Sequence, residues 1–230
     1  MLSLHKNCCM IYSACNMAER IKRGACHIVG AAAVRSLPLE KAHGDMIIAA
    51  DGGYDTLRRF GFTPDITIGD FDSSEPPKEG EIIRLNPIKD ITDTDRAVQY
   101  GRENGYRDFC IYGGMGGRTA HTLANIQLMH GMAVRGERCM LIGDDETMTV
   151  LRNGEIEFSV RSHGFISVFS LSDESVGVCE SGLKYTLDDY TLNNRFPLGV
   201  SNEFIGESAK ISVKSGTLLI VFESNSAWII

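Results

Sequence analysis

Apolar and polar positions alternate in two textures along the first 145 residues of the chain. Short apolar runs at Cys26–Val29, Met46–Ala50, Ile66–Ile68, Ile82–Leu85, Phe109–Tyr112 and Cys139–Ile142 read as strands. Between them, Tyr54–Phe60, Thr94–Asn104 and Thr122–Val134 carry helical spacing. In the last of these Leu123, Ile126, His130 and Ala133 recur at i, i+3, i+7 and i+10, which predicts the buried face. Thr92 is placed to cap the second helix and Gly105 to stop it. Strand and helix in alternation predict a parallel α/β sheet.

After Asp145 the helical period is gone. Glu155–Val160, Phe165–Leu171, Val176–Glu180, Ala209–Val213 and Thr217–Phe222 read as strands. Turns are expected at Asn153-Gly154, His163-Gly164, Ser181-Gly182 and Ser215-Gly216, the pattern of an antiparallel sandwich or barrel. The expected division is an α/β domain over 1–147, with 1–21 as an extension, and a β domain over 148–230.

Composition narrows the class. In 230 residues, 43% are apolar and 23% charged, which supplies a core and excludes global disorder. A net charge of -7 with no basic block argues against nucleic acid as the partner. No apolar run approaches the roughly 18 residues of a membrane span. The apolar stretch Cys8–Ala14 is broken by Cys15-Asn16 and then by Glu19-Arg20-Ile21-Lys22-Arg23, which is not the pattern of a cleaved leader. Seven cysteines include no C-x-x-C pair, so reduced thiols in a cytoplasmic protein are expected rather than a zinc site or disulfide framework.

Candidate chemistry collects where each N-terminal strand ends. Met46–Ala50 runs into Asp51-Gly52-Gly53, and Ile66–Ile68 into Gly69-Asp70-Phe71-Asp72-Ser73. Ile82–Leu85 leads to Lys89-Asp90-Ile91-Thr92-Asp93, and Phe109–Tyr112 runs into Gly113-Gly114-Met115-Gly116-Gly117-Arg118. Ligands of open parallel sheets bind outside the carboxyl ends of the strands, so one rim is expected to gather these acids and glycines. Two unit charges about 4 Å apart repel by roughly 4 kcal/mol at an effective dielectric near 20. Clustered carboxylates facing a polyphosphate therefore call for a hard divalent cation such as magnesium. Asp70 and Asp72 are alternate residues and would share a side of an extended segment. The glycine run lets backbone N–H groups approach phosphate, with Arg118 as a bidentate donor ahead of a helix N-terminus. It matches neither a Walker A loop nor the dinucleotide fingerprint.

Taken together, A-D-G-G (50–53), P-D-I-T-I-G-D-F-D-S (64–73), K-D-I-T-D-T-D-R-A (89–97), G-G-M-G-G-R-T-A-H-T-L-A-N (113–125) and G-V-S-N-E-F (199–204) resemble the thiamine pyrophosphokinase family. The resemblance implies a Rossmann-like parallel-sheet domain followed by a C-terminal antiparallel β-sandwich for thiamine binding and dimerisation. It also implies transfer of the terminal diphosphate of ATP to thiamine with release of AMP, in a homodimer whose active site lies at the subunit interface. By that resemblance Asp70, Asp72 and Asp93 would hold Mg²⁺. Asp51, Gly52, Gly53, Gly113, Gly116, Gly117, Arg118, His121 and Asn125 would face ATP, and Lys89, Ser201 and Asn202 would face thiamine. Asp72, Asp90, Asp93 and Arg118 are the candidate catalytic residues, with Asp90 or Asp93 to receive the hydroxyl proton. No Ser-His or Cys-His nucleophile is evident, so transfer without a covalent enzyme intermediate is expected.

The sequence departs from the family in three places, one of them residues 1–21, which have no expected counterpart. Ala120 stands where an acid is usual between the Arg and His of the glycine loop, and the last strand, Leu218–Phe222, lacks the Trp that some members carry. Three readings stay open at this level. They are the thiamine enzyme, a magnesium-dependent kinase or pyrophosphokinase for another small alcohol, and a nucleotide-binding regulator without turnover. His130 reads as a core histidine, Trp228 as a packing or dimer contact, and Arg58-Arg59 as a solvated helix face.

Overall fold

A computed structural model describes residues 10–13, 24–71, 81–85 and 91–224. The chain divides into two compact units, Ala18–Asp144, and Asp145–Ile230 together with Met1–Met17. The division falls at Asp144/Asp145, against the expected 147/148. The first strand, β1 (Met10–Ser13), pairs antiparallel with residues 155–158, so it belongs to the β unit rather than extending the α/β one.

In the α/β unit the order is β2 (Cys26–Val29), β3 (Met46–Ala50), α1 (Gly53–Arg59), β4 (Ile66–Gly69), β5 (Glu81–Arg84), α2 (Asp93–Glu103), β6 (Asp108–Tyr112), α3 (Thr119–Val134) and β7 (Arg138–Ile142). All six strands are parallel, in the spatial order β5-β4-β3-β2-β6-β7. Alternation assigns the two faces. Val29, Ile47, Ala49 and Tyr112 meet Leu57 and Tyr54 of α1. The opposite face of β2, β3 and β4 carries α2, which lies so close that a Cβ at Gly101 would sit 2.8 Å from Cys26 Sγ. Strands covered on both faces have no polar side, which is why each reads as an unbroken apolar run. Thr92 caps α2 as expected, its hydroxyl accepting from the Asp95 N–H at 3.1 Å, and Gly105 follows the helix at φ 87°.

The buried face of α3 is not the one the spacing predicted. Asn125, Met129, Met132 and Ala133 are buried, while Leu123 is 57% exposed and His130 is half-buried. The helix is apolar most of the way round, so spacing alone singles out no face. Packing places Asn125 inward because its amide has a backbone partner there.

The β unit continues with β8 (Glu146–Arg161), β9 (Phe165–Ser170), β10 (Glu174–Ser181), β11 (Leu187–Asn193), β12 (Gly199–Glu203) and β13 (Glu207–Glu223), all antiparallel. The two strands expected at Ala209–Val213 and Thr217–Phe222 are one. Asn153-Gly154 and Ser215-Gly216 are facing irregularities inside β8 and β13, not turns. Asn153 takes φ 45°, and its Oδ1 accepts from the Gly216 N–H at 2.9 Å. At that point β13 changes its second neighbour from β10, paired over 210–215, to β9, paired over 218–222. The bend thus lets one strand serve two sets of partners around a core of Ile156, Phe158, Ile166, Val178, Ile211 and Ile220. The Arg161 guanidinium is buried there, 4.6–5.5 Å from the rings of Phe158, Phe204 and Phe222, and burial lowers its pKa to about 9. Phe222, in the final strand where the resemblance raised the expectation of a Trp, is a core residue.

Candidate active site

Because the six strands of the α/β unit are parallel, their carboxyl ends share one edge. Strands β2 to β5 are laid down outward on one side of β2, and the chain then returns to place β6 and β7 on the other. The order reverses between β2 and β6, the position where a crevice opens in such sheets.

That crevice is built from glycines. The Gly30 N–H donates to Tyr112 O at 2.8 Å and the Ala32 N–H to Gly113 O at 3.0 Å, zipping the loops after β2 and β6 together. A Cβ on Gly113, which lies at φ 60°, would stand 2.7 Å from Gly30 O and 2.8 Å from Ala32 O. Gly53 is as confined, since its Cβ would fall 1.8 Å from Val29 O. Gly116, at φ 83°, faces open space. The loop after β2 is also pinned at its far end. Asp144 accepts from the backbone N–H groups of Arg35 and Ser36, and Arg59 donates to Val34 O. This small-residue segment, Gly30-Ala31-Ala32-Ala33, was missed in the sequence. It carries neither charge nor a glycine run, and only its position after the central strand could have flagged it.

The predicted site residues fall into three groups. Asp51, Gly52, Gly53, Asp70, Asp93, Gly113, Gly116, Gly117, Arg118 and His121 are carried by the loops and helix starts at the carboxyl edge of the sheet. Arg118 and His121 are exposed at the start of α3, and no side chain caps that helix. Ser201 and Asn202 lie in the β unit. Asp72, Lys89 and Asp90 lie outside the described residues, as does Trp228. Asn125 is buried, and its amide donates to Gly114 O at 2.6 Å, so it buttresses the glycine loop from behind. Asn202 is buried as well, with its carboxamide bonded to Tyr185, Glu203 and Glu180.

Backbone strain marks the same segments. Asp51, Phe71 and Ser201 hold φ of 51°, 55° and 58°, a region that costs non-glycine residues energy and that clusters at functional sites. β4 ends at Gly69, and Phe71 takes the left-handed region, so the backbone of the described residues is not extended there; Asp72, expected to share a side with Asp70, lies outside them. Among the described residues no group of three or more His, Cys, Asp or Glu could hold a metal ion. Two of the three expected ligands, Asp70 and Asp93, are described, and both offer the hard oxygen donors that magnesium prefers. Burial raises the Cys26 thiol to about 12 and Cys139 further still, which keeps these two protonated.

Residues 38–141 match the model described as thiamin pyrophosphokinase, catalytic domain, and residues 155–218 match thiamin pyrophosphokinase, vitamin B1 binding domain. The chain belongs to the thiamin pyrophosphokinase family. Within the family it is 28% identical over 182 residues to thiamine pyrophosphokinase of Bacillus subtilis, covering 76% of this chain and 85% of that one. It is 25% identical over 174 residues to thiamine pyrophosphokinase 1 of Oryza sativa subsp. japonica, covering 68% and 65%. The crystal structure of the Bacillus subtilis enzyme superimposes with a TM-score of 0.80 at 24% identity, over 88% of this chain and 100% of that one. Thiamin pyrophosphokinase from Candida albicans gives 0.74 at 17% identity, over 90% and 91%. These structures share the mixed, sheet-dominated α/β fold.

Proposed function

We infer that this chain transfers the terminal diphosphate of ATP to the hydroxyethyl group of thiamine, giving thiamine diphosphate and AMP. The observation that carries the reading is the pairing of the two family domains in one chain, in order, with the catalytic match spanning the loops after β3, β4 and β6.

We assign the roles as follows. Backbone N–H groups of the zipped glycine loops and the uncapped start of α3 cradle the polyphosphate, with Arg118 and His121 at its edge. Asp70 and Asp93, with Asp72, would hold Mg²⁺, which when bound neutralises the polyphosphate charge. Asp90 or Asp93 accepts the proton of the thiamine hydroxyl as it attacks in line, and no covalent enzyme intermediate is required. Ser201 contacts thiamine, a role supported by the strained bulge in β12 on which it sits. We further propose a Rossmann-like catalytic domain and a β-sandwich, a homodimer with its sites at the interface, and a cytoplasmic location. Concentration of exposed apolar side chains on the β unit, among them Phe165, Tyr190, Phe196 and Val200, supports the dimer. No helix among the described residues is long and apolar enough to cross a membrane.

The test is product analysis with ATP, Mg²⁺ and a panel of small alcohols. AMP and thiamine diphosphate should form in equal amounts with thiamine alone. ADP as the product, or a better acceptor than thiamine, would overturn the reading.

A further inference from the structure

Asn202 uses its whole carboxamide inside the β unit. Its Oδ1 accepts from the Tyr185 N–H at 2.9 Å and the Glu203 N–H at 2.9 Å. Its Nδ2 donates to Tyr185 O at 2.7 Å and to Glu180 Oε2 at 3.0 Å. Both N–H groups and the carbonyl are thus engaged, and the side chain is 5% exposed. The residue is a strut between β12 and the turn after β10, not a surface contact.

What the strut holds is exposed. Ser201 precedes it in the left-handed region, with its N–H donating to Ser167 Oγ at 3.0 Å. Tyr185, whose backbone is gripped on both its N–H and its C=O, leaves its ring 62% exposed. Lys184 lies over that ring at 5.6 Å and pairs with Glu203. A hydroxyl, an aromatic face and a paired charge are therefore presented by the two segments that Asn202 ties together.

Glu180 supplies the one side-chain acceptor among the four hydrogen bonds that orient Asn202. Glu180 is 2% exposed, on a strand flanked by Leu187 and Ile211, and its second oxygen, Oε1, is buried with no hydrogen-bond partner among the described residues. Burying a carboxyl so poorly satisfied costs stability. An apolar residue would fill the space at lower cost but would leave one of the two Nδ2 N–H groups without its acceptor, the other still donating to Tyr185 O.

We propose that Glu180 is a positioning residue for acceptor binding: by accepting from Asn202 it helps set the carboxamide that fixes the Ser201 bulge and the Tyr185 segment. This rests on the thiamine reading above, with the β unit as the acceptor side.

Steady-state kinetics of Glu180→Leu and Glu180→Gln decide it, alongside exchange of the Tyr185 amide in the free protein. Glu180→Leu should raise KM for thiamine about tenfold, equal to about 1.4 kcal/mol, with kcat and KM for ATP within about twofold. Glu180→Gln, which keeps an acceptor at that place, should restore thiamine KM to within about threefold of the parent. Tyr185 exchange should quicken in the leucine variant only. An unchanged thiamine KM, equal losses toward both substrates, or a glutamine variant as weak as the leucine one would overturn the role. Should Glu180→Leu not fold, Asn202→Asp replaces it, since it keeps the acceptor for Tyr185 and Glu203 but removes the donor toward Glu180. The same thiamine-specific rise is expected, and its absence counts against the proposal. A wild-type protein with no thiamine-dependent AMP release would instead overturn the functional reading, and this role with it.

Discussion

A methyl group at Gly113 meets two carbonyl oxygens at under 3 Å and a backbone that L side chains avoid. Gly113→Ala should therefore open the zipper between the loops after β2 and β6. A fall in stability of about 2 kcal/mol is expected from strain at a left-handed glycine. ATP affinity should fall at least tenfold, measured by calorimetry beside thermal melting. Asp93 poses a sharper choice, because an acid in the first turn of α2 also favours the helix dipole. If that were its only role, Asp93→Asn would cost about 0.3–1 kcal/mol and leave turnover alone. As a metal ligand and candidate base, it should lose about a hundredfold in turnover, equivalent to about 2.7 kcal/mol, with a nearly unchanged melting temperature. The acids and glycines at this rim were legible because their residue types are chemically distinctive at strand ends. The Gly30–Ala33 loop and the inward turns of Asn125 and Asn202 were not. Small residues carry no signature, and whether an amide faces a ligand or the fold depends on partners far away in sequence.

At the level of elements, the α/β strands could be read to within a residue or so, since burial on both faces makes β2, β3 and β4 apolar blocks; the exposed edge strand β5 was legible only from its central Ile82-Ile83. β11 and β12 escaped notice for the opposite reason. Leu187–Asn193 is mostly exposed, and Gly199–Glu203 is polar, so neither shows the pattern of a strand. The Asn-Gly and Ser-Gly pairs were misread as turns because a bulge and a turn ask for the same backbone freedom. Two strands carry buried titratable groups with opposite consequences. His27 of β2 is held below its ordinary pKa, chiefly by burial and against its contact with Asp45. Its unfolded form takes up a proton first, so the stability it allows is present above pH 6.5 and declines as pH falls through the lowered value. Burial pushes Glu180 of β10 from 4.5 up to about 7. Its contribution is full below pH 4.5 and is lost as pH rises through about 7, at about 1.4 kcal/mol per pH unit. Denaturant unfolding of the wild type and Glu180→Gln across this range should show the glutamine variant gaining on the parent as pH rises; a constant difference would refute it.

For the whole molecule, the proposed function assigns the polyphosphate to the α/β unit and the acceptor to the β unit, in a chain expected to pair with a second copy. Sedimentation should give twice the 25.3 kDa chain mass, and a fully active monomer would remove the interface site. The family and its two domains were legible from five short motifs in order. The orientation of individual side chains was not, because it is fixed by tertiary packing. The central claim is that the β- and γ-phosphates leave ATP as one unit. Supplying ATP labelled at its β-phosphorus, with thiamine and Mg²⁺, tests this directly. All transferred label should appear in thiamine diphosphate with unlabelled AMP beside it, whereas label retained in ADP would contradict the account.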